Sequence, residues 1–126
     1  MPATLEHVNF TVTDPKRTAE LMCDLFDWKI RWQGDAISGG YTYHVGGDDT
    51  YLAIYSSGTA EESGLSRYRQ KGALNHIGVV VDDLDAAEAR VRARGYEPVN
   101  HADYEPGRRF YFLDHDGVEF EVVSYA

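Results

Sequence analysis

The sequence predicts an α+β fold: two βαβββ modules forming a curved mixed sheet with a central cleft and outer helices. Three observations predict it. The chain repeats itself at one constant offset, β-branched segments lie between glycine- and aspartate-rich turns, and an aspartate precedes each of two amphipathic stretches. The 126 residues suffice for one domain with a real core. We expect a single domain over 1–126, with module 1 at about 4–56, a linker at about 57–72 and module 2 at about 73–124.

The repeat begins with the first strand. Leu5, His7, Val8, Val12 and Asp14 fall on Leu74, His76, Ile77, Val81 and Asp83. A helix follows each copy. Asp14 is a suitable N-cap and Pro15 suits the first helical turn. From about Pro15 to Asp27 the residues Thr18, Leu21, Met22, Leu25 and Phe26 share one face. Asp83 caps a second helix that buries Leu84, Ala87 and Val91, and Gly95 ends it in a left-handed conformation. Module 1 then offers strands at Trp28–Gln33, Tyr41–Val45 and Tyr51–Tyr55, separated by Gly39-Gly40 and by Gly46-Gly47-Asp48-Asp49. Module 2 offers Tyr96–Asn100, Arg109–Leu113 and Val118–Val123, with a hairpin turn at Asp114-His115-Asp116-Gly117. The stretch Ser56–Gly72 reads as a polar linker with a short helix around Leu65–Gln70.

Strand alternation assigns faces. Val8, Phe10 and Val12 pack on the helix, so His7, Asn9 and Thr11 point into the cleft. Ile77, Val79 and Val81 pack inward, leaving His76, Gly78 and Val80 on the other side. In the last strand Val118, Phe120 and Val122 form the apolar row opposite Glu119, Glu121 and Val123. Two histidines at repeat-equivalent positions, with an acid on a neighbouring strand, read as a metal site of two imidazoles and one carboxylate: His7, His76 and Glu121. Such donors suit one divalent ion per site, iron, manganese, nickel, cobalt or zinc. Tyr51 and Tyr55 share a strand face with Ala53 and line the cleft, extended by Tyr41 and Tyr43. Of Arg108 and Arg109, one can grip a substrate carboxylate or phosphate, or both form a solvated strand start. Glu119 either acts as a base or reaches solvent at the rim. His44 and His101 have no repeat partner and are read as non-ligands. Cys23 reads as a buried, inert thiol.

The net charge of −9 repels phosphate backbones and argues against a nucleic-acid partner. No stretch approaches the roughly 18 apolar residues of a membrane span. The N-terminus shows no basic region followed by an apolar run. With one cysteine and no disulfide possible within the chain, these features lead us to expect a cytoplasmic protein.

Four segments together resemble the vicinal oxygen chelate superfamily, which includes glyoxalase I, bleomycin-resistance proteins, fosfomycin-resistance thiol transferases and extradiol dioxygenases. They are Leu5-Glu6-His7-Val8-Asn9-Phe10, the helix ending Leu25-Phe26-Asp27-Trp28, Leu74-Asn75-His76-Ile77, and Phe110 to Glu121. The resemblance implies metal ligands at His7, His76 and Glu121. It places a fourth glyoxalase-type ligand near Ala53, which cannot coordinate, and so leaves a three-ligand site. It implies that Tyr111 reaches the active site, acting in catalysis with Glu121. Asn9 stands where fosfomycin transferases carry a cleft threonine, and 102–107 replaces their potassium loop. His115 replaces the usual turn proline and reads as surface variation. The resemblance further implies a homodimer and a small-molecule substrate, contacted by Asn9, Tyr51, Tyr55, Arg109 and Tyr111. It suggests a metal-dependent enzyme acting on a small oxygen-rich substrate chelated to the metal, a lyase, transferase or extradiol-type dioxygenase. The alternative is a binding protein that sequesters a small molecule, as bleomycin-resistance proteins do.

Overall fold

The computed structural model describes residues 1–62 and 64–126 and divides the chain into two compact units, 1–63 and 64–126. Each unit is a four-stranded mixed sheet with one helix, in the order strand, helix, three strands. The division falls inside the expected linker.

In the first unit β1 is His7–Thr11, α1 Pro15–Phe26, β2 Lys29–Asp35, β3 Tyr41–Gly46 and β4 Tyr51–Ser56. The sheet order is β1-β4-β3-β2, with β1 and β4 parallel. Asp14 caps α1, its carboxylate accepting from the Arg17 amide at 3.2 Å, and Pro15 sits in the first turn. Asp27 ends the helix in a left-handed conformation at φ 56°. Leu21, Met22 and Leu25 are buried with Phe10, Val12, Val45 and Ile54 of the sheet, so period-3.6 and period-2 patterns meet in one core.

The second unit repeats this with β5 at Ile77–Val80, α2 at Leu84–Ala93, β6 at Val99–Tyr104, β7 at Gly107–Leu113 and β8 at Glu119–Val123. Its order is β5-β8-β7-β6, with β5 and β8 parallel. The Asp83 carboxylate accepts from the Ala86 amide at 3.0 Å, and Gly95 adopts φ +88° just beyond the helix. Phe110, Phe112, Phe120 and Val122 are fully buried, with Phe112 and Phe120 stacked at 5.1 Å. Truncating one of these rings to alanine should cost about 3–5 kcal/mol.

Three expected elements shift. The strand after α2 begins at Val99 rather than Tyr96. Pro98 has no amide to give a ladder, and the Tyr96 hydroxyl is spent on His115 Nδ1 at 2.8 Å. The stretch 102–107, expected as a loop, is instead a tight hairpin in which Tyr104 pairs with Gly107. Gly107 is required there, because a Cβ would lie 1.8 Å from the Ser124 carbonyl oxygen. The linker helix is a single 3-10 turn at Arg67–Arg69, its start capped by Ser66. A further 3-10 turn at Ile37–Gly39 has no counterpart in the sequence reading. His115 is not surface variation: its side chain is 11% exposed and holds Tyr96.

Asp114 organises the turn before β8. One carboxylate oxygen accepts from the amides of Asp116 and Val118, both at 2.9 Å, while the other is buried without a hydrogen-bond partner. Burial therefore raises this carboxyl above its ordinary value despite the two amides. A raised carboxyl contributes most at low pH and loses that contribution as pH rises through its folded value. Asp114→Asn keeps the accepting oxygen and removes the charge. The variant should gain stability relative to wild type as pH rises from about 4 to 7, by on the order of 1–2 kcal/mol. Urea midpoints across that range measure it, and a difference independent of pH would contradict the assignment.

Candidate functional site

In the second unit the register brings chemistry-bearing side chains onto one sheet face. Gly78 of β5 and Tyr111 of β7 both lie opposite Glu121 of β8. His76 sits one residue ahead of β5, its Nε2 lying 3.1 Å from Glu121 Oε1. The other carboxylate oxygen accepts from Arg109 Nη1 at 2.8 Å. Arg109 is 7% exposed, donates also to the carbonyls of Tyr104 and Gly107, and lies 4.2 Å from the Tyr104 ring centroid. Its fork is thus saturated, and it serves Glu121 rather than a free anion. Arg108 points away to Asp85 at 3.3 Å.

Tyr111 is half-buried, beside Tyr104 and Glu121. Burial first, then the influence of these two neighbours, pushes its phenol up to about 12. It therefore stands at neutral pH as an O–H donor, not a base.

His76 is over-supplied with acceptors. Nδ1 lies 2.6 Å from Asn75 Oδ1 while Nε2 faces the Glu121 carboxylate. A neutral imidazole has one N–H, so it can satisfy only one of these contacts. The other contact needs a cation in the gap, either a proton or a metal ion.

Glu119, also on this face, is neither base nor solvated rim. Arg67 Nη2 donates to it at 2.7 Å, and the Tyr68 hydroxyl donates to its second oxygen. That bond raises the Tyr68 phenol. Arg67 Nε also donates to the Asn75 carbonyl at 2.8 Å. The 3-10 turn at Arg67–Arg69 thereby fastens the chain just before His76.

The equivalent face of the first unit carries rings. Ala53 lies opposite Asn9 and His44, as Glu121 lies opposite Gly78 and Tyr111. The expected equivalence of Ala53 and Glu121 is thus met by the register. His44 matches Tyr111 and so faces the same side as His7. Ring centroids run from Trp32 to His44 at 5.1 Å, on to Tyr51 at 4.5 Å, and from Tyr51 to His7 at 5.0 Å. The Arg31 guanidinium covers Tyr51 at 4.7 Å. Burial, then the charges of His7 and Arg31, hold the His44 imidazole below its ordinary value. His7 Nδ1 lies 2.8 Å from Glu6 Oε1.

Other expected residues separate by face. Asn9 is exposed on β1. The Tyr55 hydroxyl is spent on the Ile37 carbonyl at 2.8 Å, so this side chain anchors a turn. Tyr41 and Tyr43 do not extend the lining. They alternate with Thr42 and His44 and lie on the opposite face, Tyr43 being buried. His101 pairs with Glu88 at 3.0 Å on the α2 side, away from Glu121. Cys23 is part-buried, and burial raises its thiol. Asn75, Arg67, Tyr68, Tyr104, Glu6 and His44 were not foreseen as parts of a site. His44 could be found only once the strand register was known. Glu6 and Asn75 could have been found as polar residues that precede both repeat histidines.

Among the described residues no three histidine, cysteine, aspartate or glutamate side chains form a ready-made metal cage. The second unit nevertheless offers two donors of the right kind and spacing. Two donors about 2.1 Å from one ion, at roughly 90–110° to each other, lie about 3.0–3.4 Å apart. The 3.1 Å separation of His76 Nε2 and Glu121 Oε1 falls in that range.

No helix among the described residues is long and apolar enough to cross a membrane. No curated protein sequence matches the chain. Among solved structures it is similar to the fosfomycin resistance protein FosX of Mesorhizobium loti, at 26% identity and a TM-score of 0.73, covering 98% of this chain and 92% of that one. A glyoxylase/bleomycin resistance protein/dioxygenase domain from Frankia sp. EAN1pec matches at 19% identity and a TM-score of 0.82, covering 98% and 93%. An antibiotic binding protein from Streptomyces sp. CB03234 matches at 18% and 0.75, covering 99% and 98%. The family model describing the Glyoxalase/Bleomycin resistance protein/Dioxygenase superfamily matches residues 4–122, and the chain belongs to that superfamily.

Proposed function

We propose that this protein is a metal-dependent enzyme that acts on a small oxygen-rich molecule. Its metal ligands are His7, His76 and Glu121, binding one divalent ion of the iron, manganese, nickel, cobalt or zinc class. The observation that carries this reading is the His76–Glu121 approach, an imidazole nitrogen and a carboxylate oxygen 3.1 Å apart, the separation of two donors on one ion. Bound there, the metal supplies Lewis acidity toward two neighbouring substrate oxygens. The chain's own residues do the rest. Arg109 occupies one oxygen of Glu121 and leaves the other for ligation. Tyr111, held as a neutral phenol, donates a hydrogen bond to a substrate oxygen where charge develops. Asn9 and Tyr51 orient the substrate. The 26% identity to a fosfomycin resistance protein over nearly the whole chain supports a small oxygenated compound as the class of substrate. Asn9 in place of threonine argues against fosfomycin itself. A single cysteine and an acidic surface support a cytoplasmic setting.

A second reading is a small-molecule binding protein. The row of Trp32, His44 and Tyr51 favours it, with Trp32 51% exposed, as does the likeness to an antibiotic binding protein. Such a protein would bind its ligand equally well after metal removal, which the enzyme would not.

Glu121→Ala should weaken cobalt binding on the order of 100-fold or more, since even outer-shell partners cost about 10–100-fold. Titration of the tag-free apoprotein with cobalt, followed by visible absorption, measures it. Unchanged affinity would remove Glu121 from the site. Arg109→Met should destabilise the fold by about 3–5 kcal/mol, because it leaves Glu121 buried and unpaired. Adding Glu121→Gln should recover most of that loss in urea unfolding. Additive losses would show that the pair is not coupled.

Superfamily members often dimerise, and we expect a homodimer here. Sedimentation should give twice the chain mass. Heterodimers of His7→Ala and Glu121→Ala chains should bind one metal if the ligands of a site come from both chains, and none if they come from one.

A further inference from the structure

Each histidine of the proposed ligand set is preceded by a side chain that holds its Nδ1. Glu6 Oε1 lies 2.8 Å from His7 Nδ1, and Asn75 Oδ1 lies 2.6 Å from His76 Nδ1. Glu6 and Asn75 stand at the same offset as the histidines, so the contact is repeated with the module. Adjacent residues in a regular strand point to opposite faces and do not normally touch. Here they touch at the strand entrances. β1 begins at His7 itself and β5 at Ile77, so Glu6 and Asn75 lie ahead of the regular strands, where their side chains turn back onto the rings.

We propose that Glu6 and Asn75 are positioning residues that fix the rings of His7 and His76 with Nδ1 as hydrogen-bond donor and Nε2 as metal-donor nitrogen. The proposal rests on the metal reading above and deepens it. A carboxylate has only acceptors, and the amide oxygen of Asn75 accepts, so in both pairs Nδ1 carries the hydrogen. The lone pair of each ring then lies on Nε2. In His76 that nitrogen is the one aimed at Glu121. A bond at Nδ1 also stops the ring from flipping about χ2, which would exchange the two nitrogens. Asn75 is itself fastened, since Arg67 holds its carbonyl. Glu6 is exposed at 69% and is steadied by the Tyr51 hydroxyl at 3.4 Å. Water competes for Glu6 and less for Asn75, so the effect of losing Asn75 is the larger.

The test uses the full chain with histidine labelled by nitrogen-15. Long-range proton–nitrogen spectra of the metal-free protein, taken where the rings are neutral, read which nitrogen carries the hydrogen. Cobalt titration of the same samples reads affinity. Wild type should show the hydrogen on Nδ1 of both His7 and His76. Asn75→Leu should move it to Nε2 in His76 and weaken cobalt binding about 10–100-fold, with Glu6→Leu doing so less at His7. Asn75→Asp and Glu6→Gln, which keep an accepting oxygen, should restore the wild-type spectrum and most of the affinity. Urea midpoints confirm that each variant is folded. Wild-type rings with the hydrogen on Nε2 would overturn the proposal. So would leucine variants that fold and keep both spectrum and affinity. If wild type binds no cobalt yet the leucine variants still switch the nitrogen, the metal reading fails and the orienting role of Glu6 and Asn75 survives it.

Discussion

Parallel pairing of the first and last strands of each module is the constraint on which the rest of the structure depends. A parallel pair needs a long crossover, and the helix and two intervening strands supply it. The pairing sets Ile77 beside Phe120 and Gly78 beside Glu121, so that the side chain of a residue just ahead of β5 can reach one inside β8. His76 and Glu121, far apart in sequence, come within 3.1 Å for that reason. The same pairing in the first unit brings His7 opposite Tyr51. One backbone device therefore generates both halves of the proposed chemistry.

The two copies then diverge at matched register positions. Where the second unit has Gly78, Tyr111 and Glu121, the first has Asn9, His44 and Ala53. Glycine at position 78 leaves open space above the sheet beside Glu121, where a Cβ would meet nothing within 4 Å. The matching position of the first unit carries the longer, exposed Asn9 side chain. The second copy thus concentrates charge, with Glu121 held between an imidazole and a buried guanidinium. The first concentrates rings, with Trp32, His44, Tyr51 and His7 side by side and one arginine over them. Repetition supplies the scaffold and the Nδ1-holding neighbours, and the differing side chains set on it make one face ionic and the other aromatic.

Much of this was legible in the sequence because it is local or repeated. The caps Asp14 and Asp83, the left-handed Gly95, the apolar faces of both helices and the equivalence of Ala53 with Glu121 follow from short-range rules and the repeat, whereas Val8, expected on the helix, is exposed. What was not legible depends on contacts between distant segments. Arg67 and Tyr68 sit in a polar linker with no pattern, and only the folded chain shows them clamping Glu119. Arg109 looked like a free substrate grip because its sequence neighbours do not show that Tyr104, Gly107 and Glu121 saturate its donors. Tyr41 and Tyr43 lie on the face opposite His44 by simple strand alternation, with Tyr43 in the core. A turn motif gives no sign that His115 meets Tyr96, nineteen residues earlier.

The charge arrangement around Glu121 bears on what such a site can hold. Two carboxylates lie near His76, yet each is already matched, Glu121 by Arg109 and Glu119 by Arg67. The local field is therefore close to neutral although the whole chain carries −9. In the proposed site a divalent cation would gain little from local charge and would be held by donor geometry, so ring orientation at the proposed ligands His7 and His76 would matter more than in an anionic pocket. The same neutrality favours an anionic substrate. Once a divalent ion is present the site becomes net positive, and a substrate with two adjacent oxygens meets no unpaired carboxylate to repel it. An uncompensated Glu119 beside Glu121 would bind metal more tightly and repel the anion. The arginines trade affinity for the ion against tolerance of the substrate, which is the balance a site needs if the metal is to remain open to exchange its outer oxygens.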